Sequence, residues 1–176
     1  MTNHAMIDQL AGHVAGLRRY AFALTGAQQD AEDLVQDTLV RAIAAARTYR
    51  PGGSLRAWLF SIMHNAFISG ARRKVPLTVV LDDEVASAGP PPQLLQLELQ
   101  DVLAALARLP ESQRAALSLI ALEEFSYEEA ARVLDVPLGT LMSRLARGRE
   151  ALRQMMAADP RAALHVVGGQ SSGVKR

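Results

Sequence analysis

The sequence predicts an all-α protein of two small helical domains joined by a flexible linker, the second domain carrying a helix-turn-helix. Three observations predict it. Alanine and leucine dominate while only 5% of the 176 residues are aromatic, a balance that favours helix over strand. Apolar residues recur at helical spacing in two blocks, separated by a stretch rich in proline and acid where the period fails. Residues 126–153, SYEEAARVLDVPLGTLMSRLARGREALR, read as two helices with a very short turn between them.

In chain order, Ile7, Leu10, Val14, Leu17, Ala21 and Leu24 make one helical stripe that stops at Gly26. A second helix is expected from about Ala27 to Arg47, with Leu34, Leu39 and Ile43 on its buried side and Arg50-Pro51-Gly52-Gly53 as its stop. Ser54 caps a third, from Leu55 to about Arg73, made apolar by Trp58, Leu59, Ile62 and Phe67, with Trp58 assigned to the core. These three close a first domain at residues 5–74. Residues 75–93 contain Pro76, Asp82-Asp83-Glu84 and Gly89-Pro90-Pro91-Pro92, and form the linker. Fully extended it spans about 60 Å, close to two turns of B-DNA.

Helical periodicity resumes with Leu95, Leu99, Val102, Leu106 and Leu109, and Leu109-Pro110-Glu111 opens a further helix ahead of the helix-turn-helix. Ser126 followed by Glu129 is a capping box, Asp135-Val136-Pro137 ends the first helix of the pair, and Pro137 suits the first turn of the next. Leu141, Leu145 and Leu152 take the buried side of that last helix. Thr140, Ser143, Arg144 and Arg147 fall on the opposite side. Short hydroxyls and arginines on an exposed helix face are what a major-groove reader needs, since arginine bonds guanine bidentately and Ser or Thr bonds bases or phosphates. This domain spans 94–157, and 158–176 is expected as a disordered tail.

Net charge is only +1, but its distribution is uneven. Asp30, Glu32, Asp33 and Asp37 cluster, whereas from Arg41 to Lys74 there are seven Lys or Arg and no carboxylate. With the basic last helix this makes two basic zones for one polyanion. The absence of cysteine excludes disulfides and thiolate zinc sites and suits a reducing cytoplasm. Neither a signal pattern nor a membrane span is evident, so a cytoplasmic protein without membrane contact of its own is expected. An enzyme fits poorly: there is no glycine-rich phosphate loop, His4, His13, His64 and His165 lack metal-ligand spacing, and the carboxylates are expected on exposed helix turns. No catalytic residue, metal or cofactor is expected.

Four stretches in order, DAEDLVQDTLVRA (30–42), LRAWLFSIMHNAFI (55–68), LARLPESQRAALSL (106–119) and FSYEEAARVLDVPLGTLMSRLARGREALR (125–153), resemble those of an extracytoplasmic-function sigma factor, the small two-domain class of bacterial RNA polymerase initiation factors. The resemblance implies sigma region 2 for 5–74 and sigma region 4 for 94–157. It implies core RNA polymerase as partner, through the β′ clamp helices and the β flap, with Asp33, Leu34, Gln36, Asp37 and Arg41 on the clamp. It implies promoter DNA, with His64, Asn65, Phe67, Ile68, Arg72, Arg73 and Lys74 at the −10 element and Thr140, Ser143, Arg144 and Arg147 at the −35 element. It also implies an anti-sigma factor. Two positions depart from the family pattern. Met142 stands where many relatives are basic. Ser69-Gly70 stands where they carry an acid, which predicts an early start of the −10 loop. The rival readings are a sigma-like decoy that sequesters an anti-sigma factor and a stand-alone helix-turn-helix regulator.

Overall fold

The computed structural model describes residues 9–49, 53–71 and 102–157. Every regular element among them is helical: α1 (Val14–Thr25), α2 (Gln28–Ala44), a 3-10 turn (Ala46–Thr48), α3 (Leu55–Ala71), α4 (Glu111–Ala121), α5 (Tyr127–Val133) and α6 (Leu138–Ala157). Residues 9–11 and 102–107 are also helical. The linker at 75–93, the tail at 158–176, Ile7, Leu95 and Leu99 lie outside the described residues.

Local chemistry sets the boundaries. Gly26 ends α1 in the left-handed conformation (φ 71°), which costs glycine nothing, and its N–H donates to the Phe22 carbonyl. The Ser54 hydroxyl accepts the Ala57 N–H at 3.1 Å and so starts α3. Ser69 and Gly70 are helical, and the start of the −10 loop lies outside the described residues. One exposed helical glycine costs about 1 kcal/mol, too little to stop a helix packed along its length. Pro137 precedes α6 rather than occupying its first turn, and its carbonyl accepts the N–H groups of Thr140 and Leu141.

In the first module α1, α2 and α3 pack pairwise. In the second, α4, α5 and α6 do the same. Leu17, Tyr20, Leu24, Leu59 and Met63 fill the first, and Ala115, Leu119, Val133, Leu141 and Leu145 the second. Ile43, read from the sequence as core, is 46% exposed, while Leu34 and Leu39 are half-buried. Leu152 is also half-buried. Trp58 is half-buried against the Tyr49 ring, 5.2 Å between centroids.

The two modules also pack on each other, α1 on α4 and α3 on α5, and share one apolar cluster. Phe60 of α3 meets Phe125, in the turn before α5, edge to face at 5.0 Å. Such a ring pair contributes about 0.5–1.5 kcal/mol beyond its buried area. The Arg56 guanidinium lies over the Phe125 ring at 4.2 Å.

Candidate nucleic-acid interface

The helix-turn-helix is assembled by short-range bonds. The Ser126 hydroxyl accepts the Glu129 N–H at 3.2 Å, and the Glu129 carboxylate accepts the Ser126 N–H at 3.1 Å. The same bonds hold the Glu129 carboxyl below its ordinary pKa, the Ser126 backbone N–H contributing most. After α5 the chain turns at Asp135, which takes a left-handed conformation (φ 50°) that short polar side chains tolerate. The Val136 N–H returns to the Ala131 carbonyl at 3.0 Å. Ala130 and Ala131, both buried and small, let the two helices meet closely.

On α6 the four residues expected at the −35 element do not share one environment. Ser143 and Arg147 are exposed, whereas Thr140 and Arg144 are half-buried. The Ser143 hydroxyl donates to the Gly139 carbonyl at 2.9 Å, and Arg147 Nε donates to the Ser143 carbonyl at 3.3 Å. The Arg144 charge acts on His64 of the first module.

On α3 the expected −10 residues also separate. Asn65 is exposed, Phe67 and Ile68 are half-buried, and His64 is only 8% exposed. A contact with the −10 element needs the imidazole at the surface. The structure instead sets its Nδ1 3.4 Å from the Tyr20 hydroxyl of α1, inside the fold. Burial pushes the His64 pKa down to about 4, with the Arg144 charge acting in the same direction. Arg72, Arg73 and Lys74 lie outside the described residues.

The α2 face carries Asp33, Gln36, Asp37 and Arg41 exposed, with Leu34 half-buried. Arg41 Nε pairs with Asp37 Oδ2 at 2.8 Å, one helical turn away, and that hydrogen bond raises the Arg41 pKa. Gln29 donates to Asp33 Oδ1 at 3.2 Å. Sequence reasoning missed the apolar members of this face. Val40 is 66% exposed and, with Ile43, lies on the same side as Asp33 and Gln36. Their spacing of four and seven residues from Gln36 was the available signal.

Sequence reasoning also missed Glu123. It placed the carboxylates on exposed turns, yet Glu123 is 2% exposed. It accepts a fork from Arg19 of α1, and Arg56 of α3 donates both to its side chain and to its carbonyl oxygen. Burial raises its carboxyl pKa, and the hydrogen bonds and charges of the two arginines oppose that rise. Gly16 makes the space: a Cβ there would lie 2.7 Å from Glu123 Oε2. Among the described residues no cluster of three His, Asp or Glu could hold a metal, and no helix is long and apolar enough to cross a membrane.

Two helical modules, one ending in a capped helix-turn-helix with an exposed arginine, define a DNA-reading protein of the transcription-factor class. Residues 10–64 match the sigma2 domain of PhyR, and residues 99–152 match region 4 of sigma-70 factors. The chain is 38% identical over 154 residues to the sigma factor EcfG of Rhodopseudomonas palustris, covering 86% of this chain and 85% of that protein. Among solved structures it is similar to the sigma factor RpoE bound to the anti-sigma factor NepR from Bartonella quintana, with TM-score 0.73, 33% identity, and coverage of 86% of this chain and 96% of that one. It is also similar to CnrH bound to the cytosolic domain of CnrY, with TM-score 0.69, 28% identity, and coverage of 90% and 91%.

The chain belongs to the extracytoplasmic-function family of RNA polymerase sigma factors. Its function is in transcription initiation, as the factor that directs core polymerase to −35 and −10 promoter elements and assists opening.

Proposed function

We propose a division of that function among three surfaces. The exposed face of α2 docks on the β′ clamp helices of core polymerase, through Asp33, Gln36, Asp37 and Arg41 around the apolar pair Val40 and Ile43. Leu34 supports that face from partway inside. Polar groups surrounding an apolar centre suit a transient protein contact. Residues 64–68 of α3, with Arg72, Arg73 and Lys74, serve the −10 element, and among the described ones Asn65 is exposed. The N-terminal half of α6 enters the major groove at the −35 element, with Arg147 and Ser143 outward and Thr140 and Arg144 beside them. The second module also meets the β flap.

In this reading the protein has no chemistry of its own, acts in the cytoplasm, and is held inactive by an anti-sigma factor. The sigma factors of similar fold in complex with NepR and CnrY support that last partner. The observation that carries the assignment is the helix-turn-helix of a capped α5 and an α6 with Ser143 and Arg147 exposed, on a chain that matches both sigma modules in order. Transcription in vitro with core polymerase tests it. The expected result is promoter-specific transcripts that require this protein, and none from either component alone.

A second reading is a decoy for an anti-sigma factor, favoured by the match of the first module to the sigma2 domain of PhyR, an anti-anti-sigma factor in its complex with NepR. A decoy gives no transcripts with core polymerase and has no need of an exposed reading face on α6.

A further inference from the structure

The reading face of α6 presents an apolar side chain where its polar ones are partly engaged. Met142 is 52% exposed, although it directly follows the buried Leu141 and lies three positions before the buried Leu145. More than half of its surface is open to solvent. Around it the polar candidates are constrained. The Ser143 hydroxyl donates to the Gly139 carbonyl within the helix, and Thr140 and Arg144 are half-buried.

Two of the neighbours that share its face, Gly139 and Ala146, are small, while Leu138, one turn before it, is 40% exposed. Gly139 lies three residues before Met142, and a Cβ there would have no atom within 4 Å. Ala146 lies four residues after it and is exposed. The helix backbone can therefore approach DNA closely on the side of Gly139 and Ala146, next to the Met142 thioether. Arg147 is exposed beyond Ser143, and Arg149, whose Nη2 donates to the Tyr127 hydroxyl at 3.4 Å, is exposed two turns after Met142 on the same side. Cations near an apolar group suit the phosphates that border a major groove.

We infer that Met142 is a specificity-determining residue that reads the 5-methyl group of a thymine in the −35 element. The inference rests on α6 being the −35 reader. Among the four bases only thymine offers an apolar group in the major groove. A methionine cannot donate to guanine as a basic residue would. Its flexible, polarisable side chain fits a methyl group by contact alone. Losing that methyl removes one buried apolar carbon, which corresponds to about a fourfold loss of affinity.

The experiment uses holoenzyme reconstituted from core polymerase and the full chain. A −35 element is first selected from promoters randomised upstream, and each thymine in it is then replaced singly by deoxyuridine, which removes only the methyl. The expected result is one position at which uracil weakens binding about fourfold. In Met142→Ala the thymine and uracil duplexes should bind alike at that position, and Met142→Leu should restore the difference. Unchanged helicity and melting of the variants show that folding is intact. A selected element without thymine, indifference of the native protein to every uracil, or a uracil penalty that persists in Met142→Ala overturns the inference. Arg144→Ala, Arg147→Ala is the separate control. If −35 preference survives that double change combined with Met142→Ala, the assignment of α6 as reader fails. If preference is lost there while uracil is without effect, only the role of Met142 fails.

Discussion

Arg19 and Glu123, 104 positions apart in the chain, meet as a two-pronged ion pair, with Nε to Oε1 at 3.0 Å and Nη2 to Oε2 at 3.1 Å. The carboxylate is buried while Arg19 remains half in solvent, and Arg56 reaches the same residue from α3. The pair joins the two modules, since Arg19 and Arg56 belong to the first and Glu123 to the second.

Gly16 and Glu123 are therefore expected to be coupled. Glu123→Ala should destabilise the chain by about 1–3 kcal/mol, below the cost for a fully buried pair because Arg19 is solvated. Gly16→Ala ordinarily gains about 0.5–1 kcal/mol in a helix. Here its Cβ would collide with a carboxylate that two arginines hold in place, so the change should destabilise. In the Glu123→Ala background the collision is absent, and the same change should stabilise. Urea unfolding of the four proteins measures this cycle. Additive effects would mean that Gly16 does not make room for Glu123.

Stability should depend on pH through His64. Its folded pKa, about 4, lies below the unfolded value of 6.5, so the unfolded chain binds more protons between those limits. The contribution is fully present above pH 6.5 and is lost as pH falls through the window toward 4, by about 3 kcal/mol. His13 is shifted in the same direction by burial and by Arg56, so total acid sensitivity is not specific to His64. The specific readout is the difference between native protein and His64→Gln. Denaturant titrations at several pH values should show a shallower acid slope in the variant. Parallel slopes would mean that the buried imidazole is not the sensor.

Val40 and Ile43 are expected to affect binding rather than folding. Both are exposed apolar residues on the α2 face that carries Asp33 and Gln36. Val40→Ser with Ile43→Ser should weaken association with core polymerase about tenfold or more, in the manner of a small anchor. Unfolding free energy should move by no more than about 0.5 kcal/mol per site. Asp33→Arg should act in the same direction. Fluorescence titration with labelled core polymerase measures the affinity, and an unchanged value for both variants would remove α2 from the contact.

What the sequence made legible was local. The capping box needs only Ser126 and Glu129 three residues apart, Gly26 stops α1 at the next residue, and Ser54 caps α3 three residues on. The helices and the order of the two modules follow from such short-range signals. The joining of the modules does not. Glu123 finds Arg19 across 104 positions and His64 finds Tyr20 across 44, and no periodicity encodes either encounter. Ile43 was misplaced for a related reason: an exposed isoleucine on a binding face looks the same in sequence as one in a core. Arg144 and Arg147 are indistinguishable by residue type, yet one is half-buried with its charge acting on His64 and the other is exposed.

Asn65 separates base capture from polymerase binding. It is exposed on α3, one residue after the buried His64, in a zone without carboxylates from Arg41 to Lys74. A phosphate backbone therefore approaches without repulsion, and the amide offers both a donor and an acceptor to a base edge. Phe67 and Ile68, half-buried beside it, can wall the place where an unstacked base would sit. Extruding that base costs a few kcal/mol of stacking and pairing, and the contacts must offset it. Asn65→Ala should therefore leave core affinity and the closed complex intact while reducing open complex about fivefold to thirtyfold, the loss of one charge-neutral base contact of about 1–2 kcal/mol. Permanganate reactivity of thymines near the start site reports opening directly. A template already unpaired at the −10 bases should restore part of the activity, because the cost of extrusion is then absent. Native reactivity of Asn65→Ala on fully duplex promoter would move capture toward residues 69–74.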